Sequence, residues 1–162
     1  MSNLGFMEDY KVVSGLKPTI GASGVLTGDY ISLKNAQMAW VIFHFNSANG
    51  TAEVFSVNKA TAVAPTGAVQ ITNTVPIWLN NACATSDINV RQTDAVQQAV
   101  AATATDQIVI FQIDPASLGT TYDCIAGYTT STIASADELE ILYVIKPRYA
   151  GIDANMPSVI VD

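Results

Sequence analysis

The chain has 162 residues, enough for one domain with a sizeable core. Hydrophobic residues make up 49% and charged residues 13%, about half the charged share usual in a soluble domain. The net charge is -7 and the seven basic residues are scattered singly, which argues against the clustered cations that nucleic-acid binding requires.

Mean hydropathy is +0.30, high for a free monomer. No apolar run approaches the ~20 residues needed to cross a bilayer, so no membrane partner is expected. The apolar surplus implies instead that other protein covers part of the surface. The opening "MSNLGFMEDYK" lacks a basic stretch followed by an apolar one, so synthesis and assembly in a cytoplasm are expected.

Residues 1–28 follow neither a two-residue nor a 3.6-residue apolar rhythm, and glycines with Pro18 punctuate them. Leu4, Phe6, Met7, Val12, Val13, Leu16 and Ile20 are nevertheless apolar. The segment therefore reads as an extended N-terminal arm lying on an apolar surface, its own domain's or a neighbour's. From Asp29 the pattern is β. "YISLK" alternates, "MAWVIFHF" (Met38 to Phe45) is β-branched and aromatic, and "TAEVFSVNKA" follows after Asn49-Gly50, a pair that predicts a hairpin between the two runs. "GAVQIT" and "VPIWLN" are shorter strands, with Pro76 marking an edge or a strand start. "DINVRQ" alternates, whereas "DAVQQAVAATATD" reads either as a short helix capped by Asp94 or as a strand. "QIVIFQID" is the strongest strand and stops at Asp114-Pro115; "TYDCIAGY" returns, "TTSTIASAD" is a loop and "LEILYVI" closes the domain. Eight or nine strands with regular turn signals predict an all-β fold, a jelly-roll-like β-sandwich over residues 29–146. Residues 147–162 form a C-terminal tail whose tip, Val159-Ile160-Val161, is apolar.

The parts of an active site are sparse. His44 is the sole histidine, and alternation places it on the side of Ile42, opposite Phe43 and Phe45; a hydrogen-bonded sheet residue is the reading preferred over a nucleophile's base. Cys83 and Cys124 lack metal or redox spacing and read as free thiols in a cytoplasmic protein. "GASG" lacks the helix and Lys-Ser/Thr of a phosphate loop, and "DELE" (Asp137 to Glu140) matches no Ca²⁺ loop. Six aromatics, Trp40, Trp78, Tyr122, Tyr128, Tyr143 and Tyr149, could line a sugar platform. Packing is the preferred role, with Trp40 in the core and Trp78 the better candidate for exposure. No catalytic residue, cofactor or metal is expected.

Four stretches occur in an order and spacing that resemble a known group: "EDYKVVSGLKP…GDYISLKN", "VIFQIDPASL", Tyr122-Asp123-Cys124 and the closing "ILYVIKPRYAG". They are similar to small structural proteins encoded among the head genes of tailed bacteriophages, including head decoration (cement) subunits. The resemblance implies a non-enzymatic β-sandwich bound to the major capsid protein on the capsid exterior, associated with itself as a homotrimer. Its interface residues would be Leu4, Phe6, Met7, Val12 and Val13 of the arm, Arg148 and Tyr149 after the last strand, and Val159, Ile160 and Val161 of the tail. Under it, Lys146-Pro147-Arg148-Tyr149 is a strand exit, because Pro147 cannot donate to a ladder and holds Lys146 extended. Another virion part (neck, tail or fibre) and a carbohydrate-binding jelly roll with Trp78 as platform are the alternatives.

Overall fold

The computed structural model describes residues 5–21, 24–103, 105–148 and 158–160. Among these, a helical turn, α1 (Phe6–Asp9), leads into eleven strands: β1 (Lys11–Ile20), β2 (Ile31–Ser32), β3 (Ala36–Asn46), β4 (Val54–Ala60), β5 (Val69–Gln70), β6 (Ile77–Asn80), β7 (Val90–Arg91), β8 (Gln97–Ala99), β9 (Asp106–Ile113), β10 (Cys124–Thr129) and β11 (Glu138–Pro147). Three have two residues each; β2 to β11 fall in stretches read as strands or left open, whereas β1 falls in the segment read as an arm. A six-stranded sheet runs β1-β11-β3-β9-β6-β7, and a second runs β2-β10-β4-β5 with β8 also on β4. The two antiparallel sheets form a β-sandwich, as the alternation predicts.

The core lies between them. Val41, Phe43 and Phe45 of β3, Ile141 and Tyr143 of β11, and Val109 and Phe111 of β9 face inward at 0% exposure. Phe55 and Val57 of β4 and Ile125 of β10 meet them from the second sheet. Phe43 stands 5.0 Å from Phe55 and 5.7 Å from Phe111 between ring centroids, and Phe45 is 5.4 Å from Phe55. These interlocked rings account for much of the burial that offsets chain ordering.

Asn49-Gly50 does not make a hairpin. β3 pairs with β11 and β9, whereas β4 pairs with β10, β5 and β8, so this connection crosses from one sheet to the other. Gly50 does adopt the left-handed backbone the pair implies, φ 63°. The loop is held by a group outside the pair: the Asp137 carboxylate, fully buried, accepts from the Asn49 amide at 3.0 Å and from the Thr51 hydroxyl.

The N-terminal segment is built into the sandwich from Lys11 onward. β1 pairs along β11 with two register shifts, and the Asp29 amide donates to Gly15 O at 2.7 Å. Thr27 bridges Tyr128 of β10. The open stretch 94–106 resolves as a strand, β8, because Gln97–Ala99 meets the free edge of β4. At the other end, regular pairing of β11 with β3 shifts between Lys146 and Pro147, where the missing N–H was expected to stop it.

Candidate interaction surface

Side chains that sit directly opposite in an antiparallel sheet point to the same face. On the outward face of the six-stranded sheet this rule assembles a central row of Leu142, Ile42, Ile110 and Trp78, one from each of β11, β3, β9 and β6. Beside it lies Val12, Val144 and Trp40, with Gln112 completing that row. On the other side, Glu140, His44, Ile108 and Asn80 align. An open antiparallel face is usually polar; this one is apolar through its middle. Its ends are charged, with Lys146 beside Met38 at one end and Glu138 and Asp106 flanking Asn46 at the other.

The N-terminal segment extends the apolar surface. Phe6 stacks on Tyr10 at 5.0 Å, and Tyr10 lies 5.9 Å from Trp40. Phe6, Met7 and Val12 are exposed at 57%, 54% and 40%, enough to leave a large part of each residue in water. Val13 is half-buried and packs on the core. Arg148 is exposed, its amide bonded to Asn35 O at 2.7 Å. In the tail, Ile160 is exposed, whereas Val159 is buried in the chain's own core and its carbonyl accepts from the Ser32 amide at 2.6 Å. Val159 is thus packing, not interface, because its side chain belongs to the buried core cluster. Leu4, Tyr149 and Val161 lie outside the described residues.

Trp40 is not a core residue. It shares the outward face with Ile42 and His44 and is half-buried, with the Tyr10 ring 5.9 Å away. The parity argument that placed His44 outward reaches Trp40 as well, four residues earlier, so the signal was in the sequence. His44 is exposed and its Nδ1 lies 3.8 Å from the Glu140 carboxylate.

The five described aromatics of that set do not converge on one platform; Tyr149 lies outside the described residues. Tyr143 is buried, Trp78 carries the Arg91 guanidinium 5.0 Å above its ring, and Tyr122 carries the Lys59 ammonium at 4.6 Å. Arg91 also pairs with Asp94. Truncating it, Arg91→Ala, should cost no more than about 1 kcal/mol, since exposed cation–π and ion pairs contribute little. The check is the urea midpoint together with a shift in tryptophan emission as Trp78 is uncovered.

Besides Asp137, two buried charged groups escaped the sequence reading. Lys59, 8% exposed, donates to Leu118 O at 3.1 Å and so holds the turn Pro115–Leu118 against β4. Glu53, 3% exposed, accepts from the Ser131 hydroxyl at 2.5 Å. Burial raises the Glu53 carboxyl above its ordinary value; the Ser131 hydrogen bond opposes that rise and the nearby Asp137 charge adds to it. A carboxyl raised in the folded state lowers stability when ionised. That cost is full at neutral pH and disappears as pH falls through the folded value to the ordinary one. Glu53→Gln, which still accepts from Ser131, should therefore lose no stability at neutral pH. Its Tm advantage over the parent should shrink toward about pH 4. A Tm deficit at neutral pH would contradict the assigned cause.

Cys83 and Cys124 are not joined by a disulfide. Desolvation, and secondarily the Asp106 charge, raises the Cys83 thiol, which makes it a poor nucleophile. Among the described residues no three His, Cys, Asp or Glu side chains gather to hold a metal ion. No described helix is long and apolar enough to cross a membrane.

The sequence matches no protein-family model and no curated protein. Among solved structures it is similar to the enzymatically active domain of tailspike protein 4 of bacteriophage CBA120, with 8% identity over 85% of this chain and a TM-score of 0.37. It is likewise similar to the CBM22-1–GH10 modules of Clostridium thermocellum xylanase 10B, complexed with xylohexaose, with 8% identity over 91% and a TM-score of 0.36. The Tobacco streak virus coat protein gives 10% identity over 97% of this chain and 93% of its own, with a TM-score of 0.33. The chain spans 19% and 28% of the first two structures.

Proposed function

We propose that this protein is a non-enzymatic structural subunit of a tailed-phage virion, a decoration (cement) protein that binds the outer surface of the assembled capsid. The observation that carries the reading is the exposed apolar surface formed by Phe6, Met7 and Val12 and continued by Trp40 and Val144. It belongs to a chain with unusually few charges, whose sequence stretches resemble phage head proteins. A subunit that binds an assembled lattice and not its dissociated parts stabilises the lattice by mass action. Exposed apolar side chains next to a rigid sheet supply that contact area without cofactor or chemistry.

The test mixes the purified protein with mature, decoration-free capsids and images them by cryo-electron microscopy. Density at every equivalent lattice site is expected. A deletion must spare β1, whose removal would uncover β11. Removing residues 1–9 should leave thermal unfolding nearly unchanged and reduce occupancy at least about tenfold, the effect of about 1.4 kcal/mol. Bare capsids with the intact chain would overturn the decoration reading in favour of neck, tail or fibre. Unchanged occupancy after the deletion would remove the N-terminal residues from the interface.

A further inference from the structure

The chain's sole Asn-Gly pair, Asn49-Gly50, is a chemically labile site, and we infer that the fold restrains its conversion to aspartate through a clamp centred on Asp137. In an unrestrained chain the Gly50 nitrogen attacks Asn49 Cγ, and glycine carries no side chain to hinder the approach. The N–Cγ bond forms, the Cγ–Nδ2 bond breaks, and ammonia leaves with the Gly50 amide proton. Water then opens the cyclic imide and returns a proton to the Gly50 nitrogen. Cleavage at Cγ gives aspartate. Cleavage at the Asn49 main-chain carbonyl gives isoaspartate, whose backbone is longer by one methylene.

Asn49 is exposed, so water has free access to it, and any protection must be conformational. Attack needs the nitrogen and carbon aligned at about 3–3.5 Å, a geometry reached by turning the backbone around the Asn49–Gly50 bond. Hydrogen bonds bracket that bond on both sides. The Gly50 amide, itself the nucleophile, donates to Ser47 O at 3.1 Å. The Ser47 hydroxyl donates to Thr51 O at 3.1 Å and closes the loop across its ends. The Asp137 carboxylate accepts from the Asn49 amide on one oxygen and from the Thr51 hydroxyl on the other. These two donors stand on either side of the reacting bond, so turning it pulls at least one of them off a fully buried carboxylate. Leaving such a group short of a partner is costly. Asp137 is itself anchored: its amide donates to Ala134 O at 3.0 Å, and its carbonyl accepts from the Gly21 amide at 2.8 Å. Conversion therefore waits on local opening of the loop, and its rate is the unrestrained rate multiplied by the open fraction. Isoaspartate is not gripped again in the same way, because its added methylene separates the Asn49 amide from the Thr51 hydroxyl.

This inference does not depend on the virion reading. The test ages the full chain in native buffer and in urea, and reads deamidation at Asn49 by peptide mass mapping. The folded parent should convert at least about tenfold more slowly than the same chain in urea, the effect of about 1.4 kcal/mol of loop opening. Thr51→Val removes one grip and leaves the Asn-Gly pair intact. It should speed conversion several-fold in native buffer and leave the rate in urea unchanged. Asp137→Asn should act in the same direction. Tyr143→Phe, which loses a buried hydrogen bond away from this loop, serves as the control for lowered global stability and should not speed conversion. Circular dichroism and the thermal midpoint establish that each variant is folded at the incubation temperature. A parent that converts as fast folded as in urea would overturn the inference. So would a folded Thr51→Val variant that converts no faster than the parent, or a Tyr143→Phe variant accelerated as much as Thr51→Val.

Discussion

Replacing Phe43 by alanine should destabilise the protein by about 3–5 kcal/mol, the range for a buried phenylalanine truncated in a core that cannot collapse around the void. Phe43 sits on the third strand of six, between Val109 of β9 and Ile141 of β11, with no exposed surface. Its ring touches Phe111 of the same sheet and Phe55 of the other, so its removal leaves both sheets lined by unfilled space. The close approach of the sheets at this point depends on Gly127, where an added Cβ would lie 2.8 Å from the Phe43 ring. The ring thus occupies space that another residue at 127 would fill. Urea unfolding reports the loss as a lower midpoint at unchanged slope, and Tm should fall on the order of 10 °C. A loss below about 1 kcal/mol would mean that the ring is not a shared support of the two sheets.

The second large effect is expected from removing one oxygen atom. The Tyr143 hydroxyl, at the end of a fully buried ring on β11, accepts from the Gly127 amide of β10 at 3.1 Å and donates to Asp29 O at 2.9 Å. It therefore ties the six-stranded sheet to the other sheet and to the segment that precedes β2. Burial holds its phenol well above the ordinary value, so it remains a donor at any accessible pH. Two glycines make room for it. A Cβ at Gly15 would stand 2.3 Å from the Tyr143 ring, and one at Gly28 would stand 2.7 Å from its hydroxyl. Tyr143→Phe leaves the ring in place but strands the buried Gly127 N–H and removes the donor from the part-buried Asp29 carbonyl. The expected loss is about 1–3 kcal/mol. Amide exchange at Gly127 should accelerate in the same variant, since that amide loses its acceptor. An unchanged Tm and unchanged exchange would show that the hydroxyl bond contributes nothing net.

Both predictions concern the frame that presents the outward face. The same strands carry Phe43, Ile141 and Tyr143 inward and Ile42, Leu142 and Val144 outward, so loss of the core would be felt at the surface by position alone. The reverse does not hold. Outward side chains such as Ile42 and Leu142 can be changed without opening that core.

What the sequence by itself determined was the local half of the structure. A two-residue alternation in "WVIFHF" and "LEILYVI" assigned inner and outer faces, because successive strand side chains point to opposite sides. It also settled where strands stop: Asp114-Pro115 ends β9 and Pro147 ends β11, since proline offers no N–H to a ladder. Parity even carried the position of Trp40, which the expectation that large aromatics are buried overrode. Which strands become neighbours was decided by the tertiary structure alone. Asn49-Gly50 has the composition of a hairpin turn, yet Asp137, 86 residues beyond Thr51, binds the loop and the chain passes to the other sheet. The N-terminal segment carries no strand rhythm, yet β11 offers a free edge that satisfies its backbone and Tyr143 fills the space above Gly15. Val159 enters the core and Lys59 is buried for the same reason: each meets a partner distant in sequence, Ser32 in one case and Leu118 in the other. Alternation along one strand is local information, whereas pairing and burial depend on groups that only the closed fold brings together.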